Sequence, residues 1–243
     1  MSFHHLLGQY LLRRGGTGVP AYQSAVQGLG NLIAYYPLNE NAGTTIVCPN
    51  NSGLNGTYNG GVALANLAGP GASMGNAPLF DGTTGFGQLP AVALNSVFDP
   101  TKGTISIWIN TNGSWPTTEY FYSIGVDTNN FVVGGKETAS TVIIYDKKGG
   151  SISSITVSLA VTAGWHNIIE TWDQAGNALK LYIDGGAPSS HTLAGAWTGS
   201  LTNALCTLAR LNGGTYWKGW LAGFSLFSDV KSGAAITTLS TPL

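Results

Sequence analysis

Charged residues are scarce in this chain of 243 residues. Lysine, arginine, aspartate and glutamate together make up 9% of the sequence, and ten basic residues stand against eleven acidic ones. A protein that binds nucleic acid needs clustered positive charge to hold the phosphate backbone. The near-neutral balance therefore argues against nucleic acid as a partner.

Long apolar runs and cysteines are also few. No stretch approaches the roughly 18 consecutive apolar residues of a membrane-spanning helix, so we expect no membrane span. Cys48 and Cys206 each lie among apolar neighbours, which fits two small buried side chains as well as one disulfide between distant strands. The sequence leaves open whether they pair, and it offers too few ligands for zinc.

Glycine, by contrast, is abundant, with 35 residues, about double the roughly 7% of ordinary usage. From residue 32 onward, apolar and polar residues alternate between turn-forming segments, as they do in half-buried strands. The clearest predicted strands are residues 32–38, 104–111, 141–146, 151–161, 165–173, 178–184 and 219–227. Since no helix of ordinary length is predicted between residues 30 and 232, we expect an all-β antiparallel sandwich or barrel, in one domain over residues 30–243.

One segment, GWHNIIETWDQAGNALKLYIDG (164–185), holds a histidine and three acids. Its alternation predicts two strands joined by a turn at residues 174–177. We expect Glu170 to form an exposed cross-strand ion pair with Lys180, worth less than about 1 kcal/mol, and His166 to be an ordinary strand histidine. The chain has no strand of closely spaced acids, nucleophile elbow, metal-protease helix or phosphate loop, so we predict no catalytic residues.

The first 29 residues read as an arm with a short amphipathic helix. Its apolar face and the basic pair that follows are Phe3, Leu6, Leu7, Tyr10, Leu11, Arg13 and Arg14. Positive charge follows the apolar run, whereas a secretion signal has it before the run. Because so short a helix is marginal alone in water, it should dock on its own domain, on a membrane surface or, as we favour, on a neighbouring subunit or larger assembly.

The hairpin also resembles a known family. The run WHNIIETWD followed by LKLYIDG is similar to the central hairpin of laminin-G-like domains, in the concanavalin A-like lectin/glucanase superfamily. Further segments resemble that family in the same order: LIAYYPLNENAGTTIVCPNNSGLNGTYNGGV (32–62), APLFDGTTGFGQLP (77–90), TISIWINT (104–111) and YWKGWLAGFSLFSDVKSGAAI (216–236). The resemblance covers about residues 30–240 and implies a concanavalin A-like jelly roll of two antiparallel sheets.

The resemblance also bears on calcium. Many relatives carry calcium-binding acids after the first strand and on the closing strand, but Asn50 and Ala222 stand here where the family commonly has aspartate. Calcium prefers carboxylate and other oxygen ligands, and Glu40 is the remaining candidate. We therefore expect no cofactor and no metal, with calcium as the single alternative.

Lectin-like sites in this superfamily stack exposed aromatic rings on sugar faces. The candidate glycan-binding residues are Trp115, Tyr120, Tyr122, Trp197, Tyr216 and Trp217, with Trp220 beside them. For each ring, packing in the core is the alternative.

A lectin-like jelly roll, an amphipathic arm, no export signal and low charge are together typical of bacteriophage virion proteins. We therefore expect a non-enzymatic virion surface protein, such as a capsid decoration, head-fibre or tail component, made in the host cytoplasm. Its expected partners are capsid or tail proteins, further copies of itself, by analogy in a trimer, and a host-surface glycan. The alternative is a free carbohydrate-binding or adhesion domain, ahead of a glycosidase or polysaccharide lyase.

Overall fold

Two antiparallel sheets form the body of the molecule in this computed structural model, which describes residues 19–111, 118–138, 140–159 and 164–243. The strands are β1 Leu32–Tyr36, β2 Thr45–Ile46, β3 Gly56–Asn59, β4 Val62–Ala68, β5 Asn76–Asp81, β6 Phe86–Gln88, β7 Lys102–Asn110, β8 Glu119–Asp127, β9 Asn130–Thr138, β10 Thr141–Lys148, β11 Ser151–Ser158, β12 Trp165–Asp173, β13 Ala178–Ile183, β14 Ser189–His191, β15 Thr207–Leu208, β16 Arg210–Leu211, β17 Thr215–Tyr216 and β18 Lys218–Phe227. The helices are α1 Ala21–Gln27, α2 Ala91–Asn95 and α3 Ala234–Leu239, with single 3₁₀ turns at Ser52–Leu54 and Ala72–Met74.

The strand order shows how distant segments meet. Sheet A runs β14-β13-β12-β7-β18-β5-β4, with β1 beside the second half of β18. Sheet B runs β11-β10-β9-β8-β15-β6-β3-β2, and β16 and β17 form a small separate ladder. The predicted all-β antiparallel sandwich is confirmed, and each predicted strand coincides with an observed one to within a few residues.

The core lies between the two sheets, and alternation along the strands fills it. On β7, Ile105, Ile107 and Ile109 point inward, while Trp108 points to the outer face of sheet A. Both cysteines are buried with free thiols, so the reading as two small core side chains is confirmed. Burial raises the pKa of Cys206 to about 11.

A second apolar cluster covers the outer face of sheet A. Tyr22 of α1 is fully buried there, its hydroxyl accepting a hydrogen bond from Trp108 Nε1 at 3.0 Å and donating to the Leu239 carbonyl at 2.7 Å. Because α1 and α3 both contribute to this cluster, the packed fold begins before residue 30. The placement of residues 21–27 in a separate arm is therefore corrected: they are part of the domain.

The β12–β13 hairpin has the predicted bounds and turn, but one predicted contact in it is wrong. The register pairs Glu170 with Leu181 and Lys180 with Thr171. Residues directly opposite each other share a face of the sheet, so Glu170 points into the core and Lys180 points away from it. His166 is a hydrogen-bonded strand histidine as predicted, with Nδ1 2.8 Å from Asp184 Oδ2.

Among the described residues, no helix is long and apolar enough to cross a membrane.

Candidate functional site

Partly exposed aromatic rings lie on the outer face of sheet B. They include Tyr120 on β8, Phe131 on β9 and Tyr145 on β10. Between the rings the sheet carries smaller side chains, since Tyr145 pairs with Val133, and Val133 pairs in turn with Ser123 of β8. Val133 and Ser123 are themselves fully buried, so the part of this face that solvent reaches is formed by the edges of the aromatic rings.

Glycine at position 135 sets how Tyr120 lies on this face. Gly135 is directly opposite Tyr120 in the β8–β9 ladder, and a Cβ atom there would come within 2.6 Å of Tyr120 Cδ1. Without a side chain at position 135, the ring can rest on β9. Burial, followed by the nearby Glu137 carboxylate, raises the pKa of both Tyr120 and Tyr145. Both hydroxyls therefore stay protonated and can donate as well as accept hydrogen bonds.

Further along the same face, an arginine is stacked on a phenylalanine. The β3–β6 register pairs the core residue Tyr58 with Gly87, so Phe86, the next residue on β6, points to the outer face. Arg210 of β16 lies with Cζ 3.5 Å from the centre of the Phe86 ring. Tyr216, opposite Arg210 in the β16–β17 ladder, has its ring centre 6.4 Å from that of Phe86.

The turn before β6 holds Phe86 in place. The Asp81 carboxylate accepts hydrogen bonds from the backbone N–H groups of Thr83, Thr84 and Gly85, at 2.9, 2.8 and 2.7 Å, and from both threonine hydroxyls. Burial alone would raise the pKa of Asp81, but these hydrogen bonds hold it well below its usual value. Asp81 therefore stabilises the turn that leads into β6.

A recess of about 220 Å³ opens at one end of the sandwich, where the loop before β7 meets the turns after β10 and β12. It is lined by Pro100, Thr101, Lys148, Gln174, Gly195, Ala196 and Trp197. The Trp197 ring packs on Phe98 at 5.6 Å. Lys148 Nζ lies 3.1 Å from Gln174 Oε1 and 3.1 Å from Asp146 Oδ2. The recess could hold a small polar group against the indole.

Two carboxyl groups, from facing sheets, lie in the core. Asp146 of β10 and Glu170 of β12 are both fully buried, and Glu170 accepts a hydrogen bond from the Tyr122 hydroxyl. Burial raises the pKa of Asp146 to about 6, although Lys148 counteracts part of the shift. Burial also raises the pKa of Glu170 well above its usual value. A glycosidase places two carboxyls on either side of a bound sugar, but here solvent reaches neither side chain.

The structure sorts the predicted glycan-binding residues into three groups. Tyr120 on β8 and Tyr216 on β17, which contacts β8, are partly exposed. Trp197 lines the recess. Tyr122 and Trp217 are fully buried, so their candidacy is corrected: a ring in the core cannot stack on a sugar. Trp220 is nearly buried and donates from Nε1 to Asn66 Oδ1 at 2.9 Å.

Other predicted positions lie outside the described residues. These are Trp115 and the assembly residues Phe3, Leu6, Leu7, Tyr10, Leu11, Arg13 and Arg14.

Sequence reasoning missed Phe86, Arg210 and Tyr145. The alternation of TVIIYD does place Tyr145 on the face opposite Ile144, but the pattern carries no information on which face is exposed. Arg210 follows Phe86 by more than a hundred residues, so no local signal indicates that they meet.

The candidate calcium ligands are engaged within the fold. Glu40 accepts hydrogen bonds from the Val47 N–H and the Tyr58 hydroxyl, both at 2.7 Å. Asn50 accepts from the Tyr35 N–H at 2.8 Å and donates to the Ile33 carbonyl at 3.0 Å. Within the described parts of the chain, no three histidine, cysteine or acidic side chains converge as a metal site would require.

Solved structures with the same fold include several binding domains. One is domain 4 of AbnA, a GH43 extracellular arabinanase from Geobacillus stearothermophilus, solved in complex with arabinotriose. It superposes with a TM-score of 0.64 at 18% sequence identity, and the match covers 87% of this chain and 98% of that one. The botulinum neurotoxin serotype D/C VPI 5993 binding domain superposes with a TM-score of 0.61 at 14% identity, and the match covers 86% of this chain and 51% of that one. For the botulinum neurotoxin DC binding domain in complex with SialylT, the TM-score is 0.62 at 15% identity, and the match covers 87% of this chain and 51% of that one. This chain thus spans about half the length of the neurotoxin domains.

The sequence itself also points to one family. No curated protein matches it. A laminin G model of the concanavalin A-like lectin/glucanases superfamily matches residues 81–237, which is well over half of the chain and runs from the Asp81 turn into α3. The protein therefore belongs to the concanavalin A-like lectin/glucanase superfamily, as a laminin-G-like domain.

Proposed function

We propose that this chain is a non-catalytic carbohydrate-binding domain that holds glycans on the outer face of sheet B. The observation that carries the proposal is the set of partly exposed rings, Tyr120, Phe131 and Tyr145, on three neighbouring strands of one face. The C–H faces of a sugar ring pack favourably on aromatic rings, while tyrosine hydroxyls can bond sugar hydroxyls. A saccharide on this face would therefore contact the exposed parts of these rings and their hydroxyl groups.

Two further observations support this proposal. The arabinanase domain of the same fold was solved with arabinotriose, and a structure of botulinum neurotoxin type C concerns interaction with two ganglioside molecules. The enclosed position of Asp146 and Glu170 favours binding over hydrolysis, because a substrate would have to enter the packed core to reach them.

A glycan array with the intact protein tests the proposal. The double variant Tyr120→Ala/Tyr145→Ala removes ring area from sheet B, and we expect it to weaken binding by about tenfold or more. Trp197→Ala, which alters the recess at the end of the sandwich, is the matched aromatic control and should bind like the unaltered protein. Melting temperatures of all variants check that the fold is intact.

The outcomes separate the sites. If Trp197→Ala abolishes binding and the double tyrosine variant does not, the recess is the binding site and the face is not. If the intact protein binds no saccharide, the proposed function is wrong.

We also propose that the domain is displayed on a bacteriophage virion through its N-terminal arm, as the sequence predicts. The packing of α1 on the outer face of sheet A supports this placement. The arm directly precedes α1 in the sequence, and the two outer faces of a sandwich point in opposite directions. An arm bound to a capsid or tail protein would then leave the aromatic face of sheet B pointing away from the particle.

A further inference from the structure

Arg210 differs from the buried lysines of this protein. Lys136, Lys148 and Lys231 each have a carboxylate within 3.9, 3.1 and 2.9 Å respectively. The Arg210 guanidinium forms no ion pair or hydrogen bond with any residue in the described part of the chain, and its Nε is buried without an acceptor. A guanidinium carries five N–H donors that need acceptors. Arg210 is therefore a half-buried cation whose donors are unused.

The surroundings of Arg210 prepare it to bind a planar acceptor. Stacking on Phe86, with Cζ 3.5 Å from the ring centre, restrains the guanidinium plane through cation–π attraction. A restrained guanidinium matches the two oxygens of a carboxylate or sulfate in paired, charge-assisted hydrogen bonds. The Tyr216 hydroxyl, which has no hydrogen bond to a described residue either, lies on the neighbouring strand and can add a further donor.

The two glutamates of β8 and β9, Glu119 and Glu137, do not pair with Arg210. Glu119 on β8 already accepts from the Lys218 N–H at 2.9 Å and lies 3.9 Å from Lys136 Nζ. Glu137 lies beside Tyr120 and Tyr145, where it would repel an anion. Lys147 also lies on this face, with Nζ 5.8 Å from the centre of the Phe131 ring, but it has the Asp127 carboxylate near it. An anionic group on the ligand is therefore expected at Arg210, which has no carboxylate partner among the described residues.

We infer that Arg210, held on Phe86 and next to Tyr216, binds the carboxylate or sulfate group of an acidic glycan on the outer face of sheet B. This inference rests on the proposed function and names the class of glycan. Arg210 supplies the preference for charge, while the tyrosine rings supply contact with the sugar.

Matched polysaccharide pairs test the inference. Polygalacturonate and its methyl ester differ in the carboxylate charge, and dextran sulfate and dextran differ in the sulfate. Affinity is measured for each member with the intact protein at low and at physiological salt. We expect the charged member of at least one pair to bind about tenfold or more tightly than its neutral partner. This preference should shrink as salt rises, because the site is partly exposed.

Variants then assign the preference to Arg210. Arg210→Gln should remove the preference, so that the charged and the neutral member bind with similar affinity. Arg210→Lys, which keeps the charge but loses the planar fork, should fall between the two. Lys102→Gln removes one charge from an exposed position on sheet A and should leave the preference intact.

Each outcome decides a separate point. Equal binding of charged and neutral members, or an unchanged preference in Arg210→Gln, would overturn this inference while the proposed function stands. Failure of every polysaccharide, in a panel that also includes arabinan and sialylated glycans, would overturn both. If Arg210→Gln does not fold, the comparison of matched pairs with the intact protein still supports or overturns the preference for charge.

Discussion

At the scale of single residues, the most unusual feature is the pair of carboxyl groups, Asp146 and Glu170, buried in the core. Glu170 reaches from sheet A to the Tyr122 hydroxyl on sheet B, and Asp146 lies close enough to both to raise their pKa values further. A buried carboxyl is tolerated when it stays neutral or is paired. Tyr122 satisfies one oxygen of Glu170, and Lys148 offsets the charge of Asp146.

The pKa of Asp146, raised to about 6 by burial, leads to a prediction about pH. A carboxyl with a folded-state pKa above its unfolded value of about 3.9 binds its proton more tightly when folded. The resulting stabilisation is fully present below about pH 4 and is lost as pH rises through about 6. We therefore expect the free energy of unfolding to fall between pH 4.5 and 7, by on the order of 2 kcal/mol.

The variant Asp146→Asn isolates this effect, because the amide has nearly the same shape and does not titrate. Urea unfolding at several pH values should give a flatter pH profile for the variant than for the unaltered protein. Work below pH 4.5 is avoided, since the stabilisation due to Asp81, whose pKa is lowered, is lost there as pH falls. Identical slopes for the two proteins would show that Asp146 does not titrate in this range.

At the scale of elements, α1 shows how seven residues can become part of a fold. An isolated helix of this length is unstable in water, but Tyr22 and Val26 bury one side of it on sheet A. The hydrogen bonds from Trp108 to Tyr22 and from Tyr22 to Leu239 connect α1, β7 and α3. Tertiary packing, not intrinsic helix propensity, therefore stabilises α1.

Substitutions at Tyr22 test the contribution of α1. Tyr22→Ala should lower the free energy of unfolding by about 3–5 kcal/mol, since it removes a fully buried ring. Tyr22→Phe should cost about 1–3 kcal/mol, because it leaves the Trp108 N–H and the Leu239 carbonyl without their partner. Val19→Ala, at a position 54% exposed, is the control and should have almost no effect. A negligible loss for Tyr22→Ala in urea unfolding would show that α1 does not stabilise the domain.

At the scale of the whole molecule, the two outer faces have different roles. Sheet A is covered by α1, α3 and the 3₁₀ turn at Ala72–Met74, whereas the outer face of sheet B keeps several aromatic rings partly exposed. One face is thus covered by helices, whereas the other keeps these rings partly exposed.

Deleting residues 2–18 tests the role of the arm. Because the packing of α1 begins at Tyr22, we expect the melting temperature of the truncated domain to change little. Oligomers of this chain, and its incorporation into purified particles as detected by mass spectrometry, should be lost. The double variant Leu7→Asp/Leu11→Asp, which disrupts only the apolar stripe, should reproduce the loss. A truncated protein that assembles like the full chain would rule out docking through the arm.

The local pattern of the sequence was enough to predict β1, β7, β10, β11, β12, β13 and β18, and the two sides of several of them. Period-two alternation predicted the bounds of β12 and the shared face of Ile105, Ile107 and Ile109, since successive side chains of a strand always point to opposite faces. Alternation also placed Glu170 on the same side as Ile168. It did not indicate that this side is the core, and the predicted ion pair with Lys180 failed for that reason.

The candidate site depends on contacts between segments that are far apart in the chain. Tyr122 and Tyr120 are two residues apart, yet one is in the core and the other is on the outer face of sheet B, because the β8–β9 register shifts between them. Arg210 meets Phe86 only because β15 joins β6 to β8. Alternation is a property of neighbouring residues, whereas the exposure of a face depends on which distant segments cover it. Local pattern was therefore sufficient for a two-sheet sandwich with few charges, and long-range packing selected which of its rings a ligand can reach.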